Sequence, residues 1–171
     1  MDSHCSTPLK YEDGTVYKGE VYNKQKHGKG KIKYTNGDYY NGEFYEDVFH
    51  GYGTYNSEEM KYVGEWQQGM CHGKGREVWK DGVEYEGDFI SGTKHGYGYH
   101  KWQDGSTYEG QWRQGVMQGN GILTLSNGDR YDGKFQRGKK HGKGIITLAN
   151  GEKYQGVFIN GEMTGDGIPL N

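Results

Sequence analysis

The chain has 171 residues, a formal net charge of −2 and an apolar share of 31%. That share is below the roughly 45–50% of ordinary globular chains, which excludes a thick single core. The near-neutral charge excludes a global pull towards nucleic acid or membrane, and two cysteines without metal-ligand spacing, Cys5 and Cys71, exclude a disulfide framework and favour a reducing compartment.

The opening run MDSHCSTPLK, with residues 1–8 as a tail, has no apolar stretch of the kind that forms a secretory signal. No apolar run reaches the roughly 18 residues that span a bilayer as a helix, so a soluble, cytoplasmic protein is expected. Residues 9–14 then write a half-unit: Leu9-Lys10-Tyr11 before Asp13-Gly14 matches Ile32-Lys33-Tyr34 before Asn36-Gly37. From there the chain repeats itself. A Tyr-x-Gly cluster starts at Tyr17, Tyr40, Tyr62, Tyr85, Tyr108, Tyr131 and Tyr154, each followed by a Gly-x-Gly pair, at a step of 23 residues and once 22. A fixed period in this range means stacked units rather than one globular core. The seven units fall at 15–37, 38–59, 60–82, 83–105, 106–128, 129–151 and 152–168, leaving 169–171 as a C-terminal tail.

Within a unit the period is two. Tyr108, Gly110 and Trp112 share one side of a strand; Gly119, Gly121, Leu123 and Leu125 share one side of the next. Asp-Gly or Asn-Gly between units, as at Asp13-Gly14 and Asn127-Gly128, reads as a type I′ hairpin turn, and Gly69, Gly92, Gly115, Gly138 and Gly161 mark turns inside units. With every connection a hairpin, the expected fold is all-β: an elongated, single-layer antiparallel array of about 15 strands, twisted into a trough, without helices of note. The strand glycines are each expected to leave a hole into which a neighbouring strand's Tyr, Phe or Trp lies flat. Pro169 suits an edge strand, because proline cannot donate to a ladder. Ser57-Glu58-Glu59 replaces the turn glycine before Tyr62, where a loop or bulge is expected.

Candidate chemistry is sparse. His27, His50, His72, His95 and His141 recur one per unit, about 9–10 Å apart, too far for zinc ligands that must lie within about 2.3 Å of one ion. They are expected to stack on, or bond near, the next turn. Glu20, Glu43 and Glu65 recur on what reads as the solvated face. No nucleotide-binding glycine motif and no nucleophile–base set occurs, so neither an enzyme nor a cofactor is expected.

Tyr-x-Gly-x-Phe/Trp followed by His-Gly-x-Gly, as in YVGEWQQGMCHGKG and YDGKFQRGKKHGKG, resembles the MORN repeat (membrane occupation and recognition nexus) over about residues 9–170. Repeat 1 departs with Val21 for the aromatic; Gln118 and Thr164 replace the histidine in repeats 5 and 7. The resemblance implies a non-enzymatic scaffold, similar to cytoskeletal and axonemal radial-spoke proteins of cilia and flagella. It implies a protein partner, held as a helix or an extended segment.

Positions that depart from the repeat average point to where. Repeats 3 and 4 place Glu77 and His100 where Ile32, Leu123 and Ile146 stand elsewhere, and all four tryptophans lie in repeats 3 to 5. Trp66, Trp79, Trp102 and Trp112, with Tyr85, Tyr108, Glu77 and His100, form the candidate protein-binding groove. The alternative is anionic membrane lipid, through Lys24, Lys26, Lys29, Lys31 and Lys33 and through Arg137, Lys139, Lys140 and Lys143. Nucleic acid is not expected, because most of these lysines read as facing away from the aromatics. Open edges allow a homodimer or larger assembly.

Overall fold

The structure, a computed structural model, describes residues 8–170; Cys5 and most of the expected tail lie outside them. The strands are β1 (Leu9–Lys10), β2 (Val16–Tyr22), β3 (Gln25–Lys33), β4 (Tyr39–Tyr45) and β5 (Val48–Asn56). Then come β6 (Met60–Gln67), β7 (Met70–Trp79), β8 (Glu84–Ile90), β9 (Thr93–Lys101) and β10 (Thr107–Arg113). The last are β11 (Val116–Thr124), β12 (Arg130–Gln136), β13 (Lys139–Thr147), β14 (Lys153–Ile159) and β15 (Glu162–Leu170). They hydrogen-bond in chain order as one open 15-stranded antiparallel sheet, and no helix occurs among the described residues. Pro169 stands in the edge strand β15, opposite Tyr154.

Chain contacts divide the protein into two compact units. One holds everything up to Lys80 together with Phe89–Gly92; the other holds Asp81–Asp88 and everything from Thr93.

The turns sort differently from the sequence expectation. Inside a repeat both central residues take positive φ, as at Gln68-Gly69 (50°, 76°), Gln114-Gly115 (49°, 77°) and Arg137-Gly138 (50°, 78°), so these are the type I′ turns. Repeats 1 and 2 force Asn23-Lys24 and Glu46-Asp47 into the same conformation without glycine. Between repeats only the glycine is left-handed. Asp13 keeps negative φ, its carboxylate accepts the Thr15 N–H at 2.9 Å, and the Gly14 N–H reaches Tyr11 O at 3.0 Å. That is an Asx-assisted three-residue loop, not a type I′ pair. In the turn without glycine, Ser57 Oγ accepts the Met60 N–H at 3.0 Å and the turn stays tight.

Each repeat also interrupts its own ladder. In repeat 5 Gly110 faces Gly121 and Trp112 faces Met117, so two steps on β10 meet four on β11. Gly119, inside the excess, takes φ +73°. The interruption leaves a carbonyl and an amide to satisfy. The Tyr108 hydroxyl donates to Gln111 O at 2.9 Å, and Gln111 Oε1 accepts the Asn120 N–H at 2.8 Å. In this same way Glu20, Glu43, Glu65 and Asp88 accept the N–H of Lys29, Tyr52, Lys74 and Tyr97. These recurrent acids are therefore not merely a solvated face: each caps an amide that the broken ladder leaves over.

Folding the tyrosine back to reach that carbonyl lays its ring across the glycine pair. A Cβ on Gly110 would come 2.6 Å from the Tyr108 hydroxyl and 2.5 Å from Gly121 Cα. The strand glycines admit this ring; at Gly121 it comes from the neighbouring strand, as expected, but at Gly110 it comes from the glycine's own strand, because the ring folds back over residue i+2. Tyr17, Tyr40, Tyr62, Tyr85 and Tyr108 are completely buried. Each meets an aromatic of the following repeat edge-on or nearly so: Tyr17–Phe44 at 5.2 Å, Tyr40–Trp66 at 5.4 Å and Tyr62–Phe89 at 5.4 Å in the first unit. The second unit has Tyr85–Trp112 at 5.6 Å, Tyr108–Phe135 at 5.0 Å and Tyr131–Phe158 at 4.8 Å. Such pairs add about 0.5–1.5 kcal/mol each beyond the area they bury.

Candidate functional site: the aromatic face

One side of the sheet carries the tyrosine row, and a second layer lies on it. The residue after each I′ turn that pairs with the repeat's aromatic supplies this layer: Val21 faces Lys26, Phe44 faces Phe49, Trp66 faces Cys71, Trp112 faces Met117 and Phe135 faces Lys140. The signal for them in the sequence is the position two residues before the first glycine of each Gly-x-Gly pair.

In the first unit Phe49 stacks on Tyr40 at 3.8 Å. Lys26 Nζ lies 6.0 Å from the Tyr17 ring centroid and 5.4 Å from that of Tyr11, and pairs with Asp47 at 2.8 Å. Burial works against that ammonium, yet the bond to Asp47 and the neighbouring Tyr11 leave its pKa raised; the same bond lowers that of Asp47. Burial also pushes the Tyr17 phenol up to about 12, with Glu20 adding to it, and the Cys71 thiol up to about 11. Of the expected groove residues here, Trp66 is buried and its indole N–H donates to Gly53 O at 3.2 Å. Trp79 is 39% exposed and Glu77 is half-buried.

In the second unit Tyr85, Tyr108 and Trp112 are buried, and the Trp112 N–H donates to Gly98 O at 3.1 Å. His100 is 6% exposed, 4.6 Å from the Trp102 ring and 5.7 Å from that of Trp112, with Lys94 Nζ 3.3 Å from its Nδ1. Burial first, and the Lys94 charge second, lower its pKa to about 4, so the ring is neutral at pH 7. Trp102 remains half-buried. The eight residues thus separate by role: Trp66, Trp112, Tyr85, Tyr108 and His100 are floor, while Trp79, Trp102 and Glu77 keep accessible surface.

The lysine clusters divide between faces. Lys29, Lys31 and Lys33 are exposed on the side opposite the tyrosines, with Lys31 Nζ 4.5 Å from the Tyr39 ring, and Lys24 sits in a turn at φ +66°. Lys26 is on the aromatic face. Likewise Lys139 and Lys143 are exposed on the opposite side and Arg137 is in a turn, whereas Lys140 lies on the aromatic face, 5.3 Å from the Tyr131 ring. The histidines serve the turns on the far side. His72 Nδ1 faces the Ser91 N–H at 3.5 Å, and Gln118 Oε1 accepts that of Arg137 at 3.1 Å in the equivalent place. His27 packs against Tyr22 and Tyr45, at 5.7 and 5.1 Å.

The MORN repeat model matches residues 17–39, 40–57, 62–84, 85–107, 108–130 and 131–153. No curated protein sequence matches the chain. Among solved structures, the SAS-4 (dCPAP) TCP domain of Drosophila melanogaster, in complex with a proline-rich motif of Ana2 (dSTIL), is similar with a TM-score of 0.54. The identity is 14%, and the match covers 88% of this chain and 83% of that one, a likeness of fold.

Proposed function

Because the chain belongs to the MORN-repeat family, we propose that it is a non-enzymatic scaffold that grips an extended segment of a partner protein on its aromatic face. MORN repeats are binding repeats rather than an enzyme family, and the cytoskeletal or axonemal setting proposed with it rests on the resemblance to scaffolds of that kind. One observation carries the reading: within each unit, above a floor of completely buried tyrosines, large apolar groups remain accessible, Trp79 in the first and Trp102 and Leu125 in the second. Large apolar groups left open beside a rigid floor are what a partner side chain buries against. An extended occupant is favoured over a helix because the partner of the similar TCP domain is a proline-rich motif, and such sequences adopt extended polyproline II.

The reading is tested by placing a photo-cross-linking amino acid at Trp79, at Trp102 and, on the opposite face, at Lys31 in the protein expressed in its cells. Adducts to one partner segment from Trp79 or Trp102 and not from Lys31 are expected. Equal adducts from Lys31, or none from the tryptophan positions, would overturn it. Retention of the protein in the detergent-resistant cytoskeleton checks the setting separately; complete release would retire the setting and leave segment binding standing.

A further inference from the structure

Three lysines lie on the aromatic face, and their charges are met differently. Lys26 is paired with Asp47 at 2.8 Å, and Lys94 sits 3.3 Å from His100 Nδ1. Lys140 has no acidic side chain within ion-pairing distance among the described residues; its ammonium meets only the Tyr131 ring, at 5.3 Å. Its surroundings are mostly apolar. Leu123, Leu125, Tyr131, Ile146 and Leu148 line, with Lys140, a pocket of about 100 Å³ in the second unit, which Arg130, its guanidinium paired with Asp132 at 3.0 Å, also borders. Asp129 also borders the pocket, but both its carboxylate oxygens already accept bonds: Oδ1 that of the Ala149 N–H in the next inter-repeat turn, and Oδ2 that of Asn127 Nδ2 in its own turn, both at 2.9 Å. A half-buried cation among leucines, facing an aromatic ring and no anion, is an expensive arrangement unless something supplies the counter-charge. Burial accordingly lowers the Lys140 pKa, an effect that Asp129 partly offsets. Nothing in the fold demands a lysine here. Met117 and Met163 occupy the same place in the repeats on either side.

We propose that Lys140 reads a carboxylate side chain of the bound segment, so that the partner sequence is extended and carries a Glu or Asp together with a bulky apolar residue. The inference rests on the segment-binding reading above and adds its chemistry. The acidic group enters over Tyr131 and meets the ammonium, while an apolar residue three positions along fills the leucine-lined part of the pocket. Three residues is the spacing at which a polyproline II segment presents side chains to one side. A charge pair formed in such a partly desolvated place contributes more than one on an open surface.

The experiment is a selection of random peptides displayed with fixed flanks at both ends, so that no free C-terminal carboxylate is offered, against the full chain and against Lys140→Met. The neighbouring methionines make this variant compatible with the fold, and a thermal melt confirms it. Peptides selected by the native protein should share an acidic position and a large apolar one three residues away. Changing that Glu to Gln should weaken binding to the native protein roughly tenfold, while Lys140→Met binds the two forms alike. A selected set without an acidic position, or a Glu-over-Gln preference that survives Lys140→Met, would overturn the role of Lys140 and leave segment binding intact. A selection that returns no peptide at all would retire both.

Discussion

Tyr131 and Tyr154 open the sixth and seventh repeats with the same Tyr-x-Gly-x-Phe run, yet their rings end in different places. Tyr131 is 2% exposed, donates to Lys134 O at 2.9 Å and meets Phe158 at 4.8 Å. Tyr154 is only half-buried, and its hydroxyl turns to the Glu152 carboxylate at 3.3 Å. The space over Gly156, filled by the repeat's own tyrosine in the first six repeats, is taken by the Met163 thioether. No aromatic of a further repeat meets Tyr154 among the described residues. The local sequence supplies the glycine gap, but the aromatic of the next repeat closes the ring into it, so each rung is secured by its neighbour in the manner of a one-dimensional repeat array.

The contrast is broken most directly at the glycines. A methyl on Gly110 would press on backbone and on the Tyr108 hydroxyl, whereas one on Gly156 meets the movable end of Met163. Gly110→Ala should cost about 3 kcal/mol or more, and Gly156→Ala about 1 kcal/mol or less, in denaturant unfolding followed by tryptophan fluorescence. Equal losses would mean that terminal and interior rungs are packed alike.

Next in size is the pH response of an interior rung. His100 has a pKa of about 4 when folded and an ordinary value near 6.5 when unfolded, so below pH 6.5 the unfolded chain takes up a proton that the native state refuses. Stability is therefore at its full level above pH 6.5 and falls between pH 6.5 and about 4, by about 3 kcal/mol. His100→Leu, which copies Leu123, should remove that slope; a slope unchanged in the variant would place the titration elsewhere.

A smaller effect separates the two tyrosines themselves. Tyr131→Phe leaves the Lys134 carbonyl without its donor and should cost about 1 kcal/mol, while Tyr154→Phe should be close to neutral. The smallest concerns the amide caps. Repeats 1 to 5 carry Glu20, Glu43, Glu65, Asp88 and Gln111 at that place, but repeat 6 has Lys134 and repeat 7 has Val157. Gly142 and Gly165 take φ of +66° and +75° all the same, so the cap adds to the interruption without creating it. Lys134→Glu should gain about 0.5 kcal/mol by offering the Lys143 N–H an acceptor. No gain would show that solvent serves that amide equally well.

The repeat length, the strand count, the pairing order and the use of glycine under an aromatic ring were all legible in the sequence. They depend on local turn chemistry and a period of two that recurs seven times, and noise in one repeat is averaged by the others. The division of labour among the tryptophans was not legible. Trp66 and Trp79 read alike as large aromatics on one face, but Trp66 finds a carbonyl acceptor and the rings of Tyr40, Phe49 and Tyr62, while Trp79 remains 39% exposed. Nor could the sequence separate Lys140 from Arg137, Lys139 and Lys143 by its counter-ion, since that is a property of strands paired across a turn.

By itself, then, the sequence determined the all-β repeat and its register, because hairpin turns and alternation are encoded within about two dozen residues. Only the tertiary structure decided which of the repeated residues are floor and which are accessible. Burial of a ring, the loss of an amide's ladder partner and the isolation of the Lys140 ammonium all arise between repeats, where the identity of the neighbouring strand sets the energy.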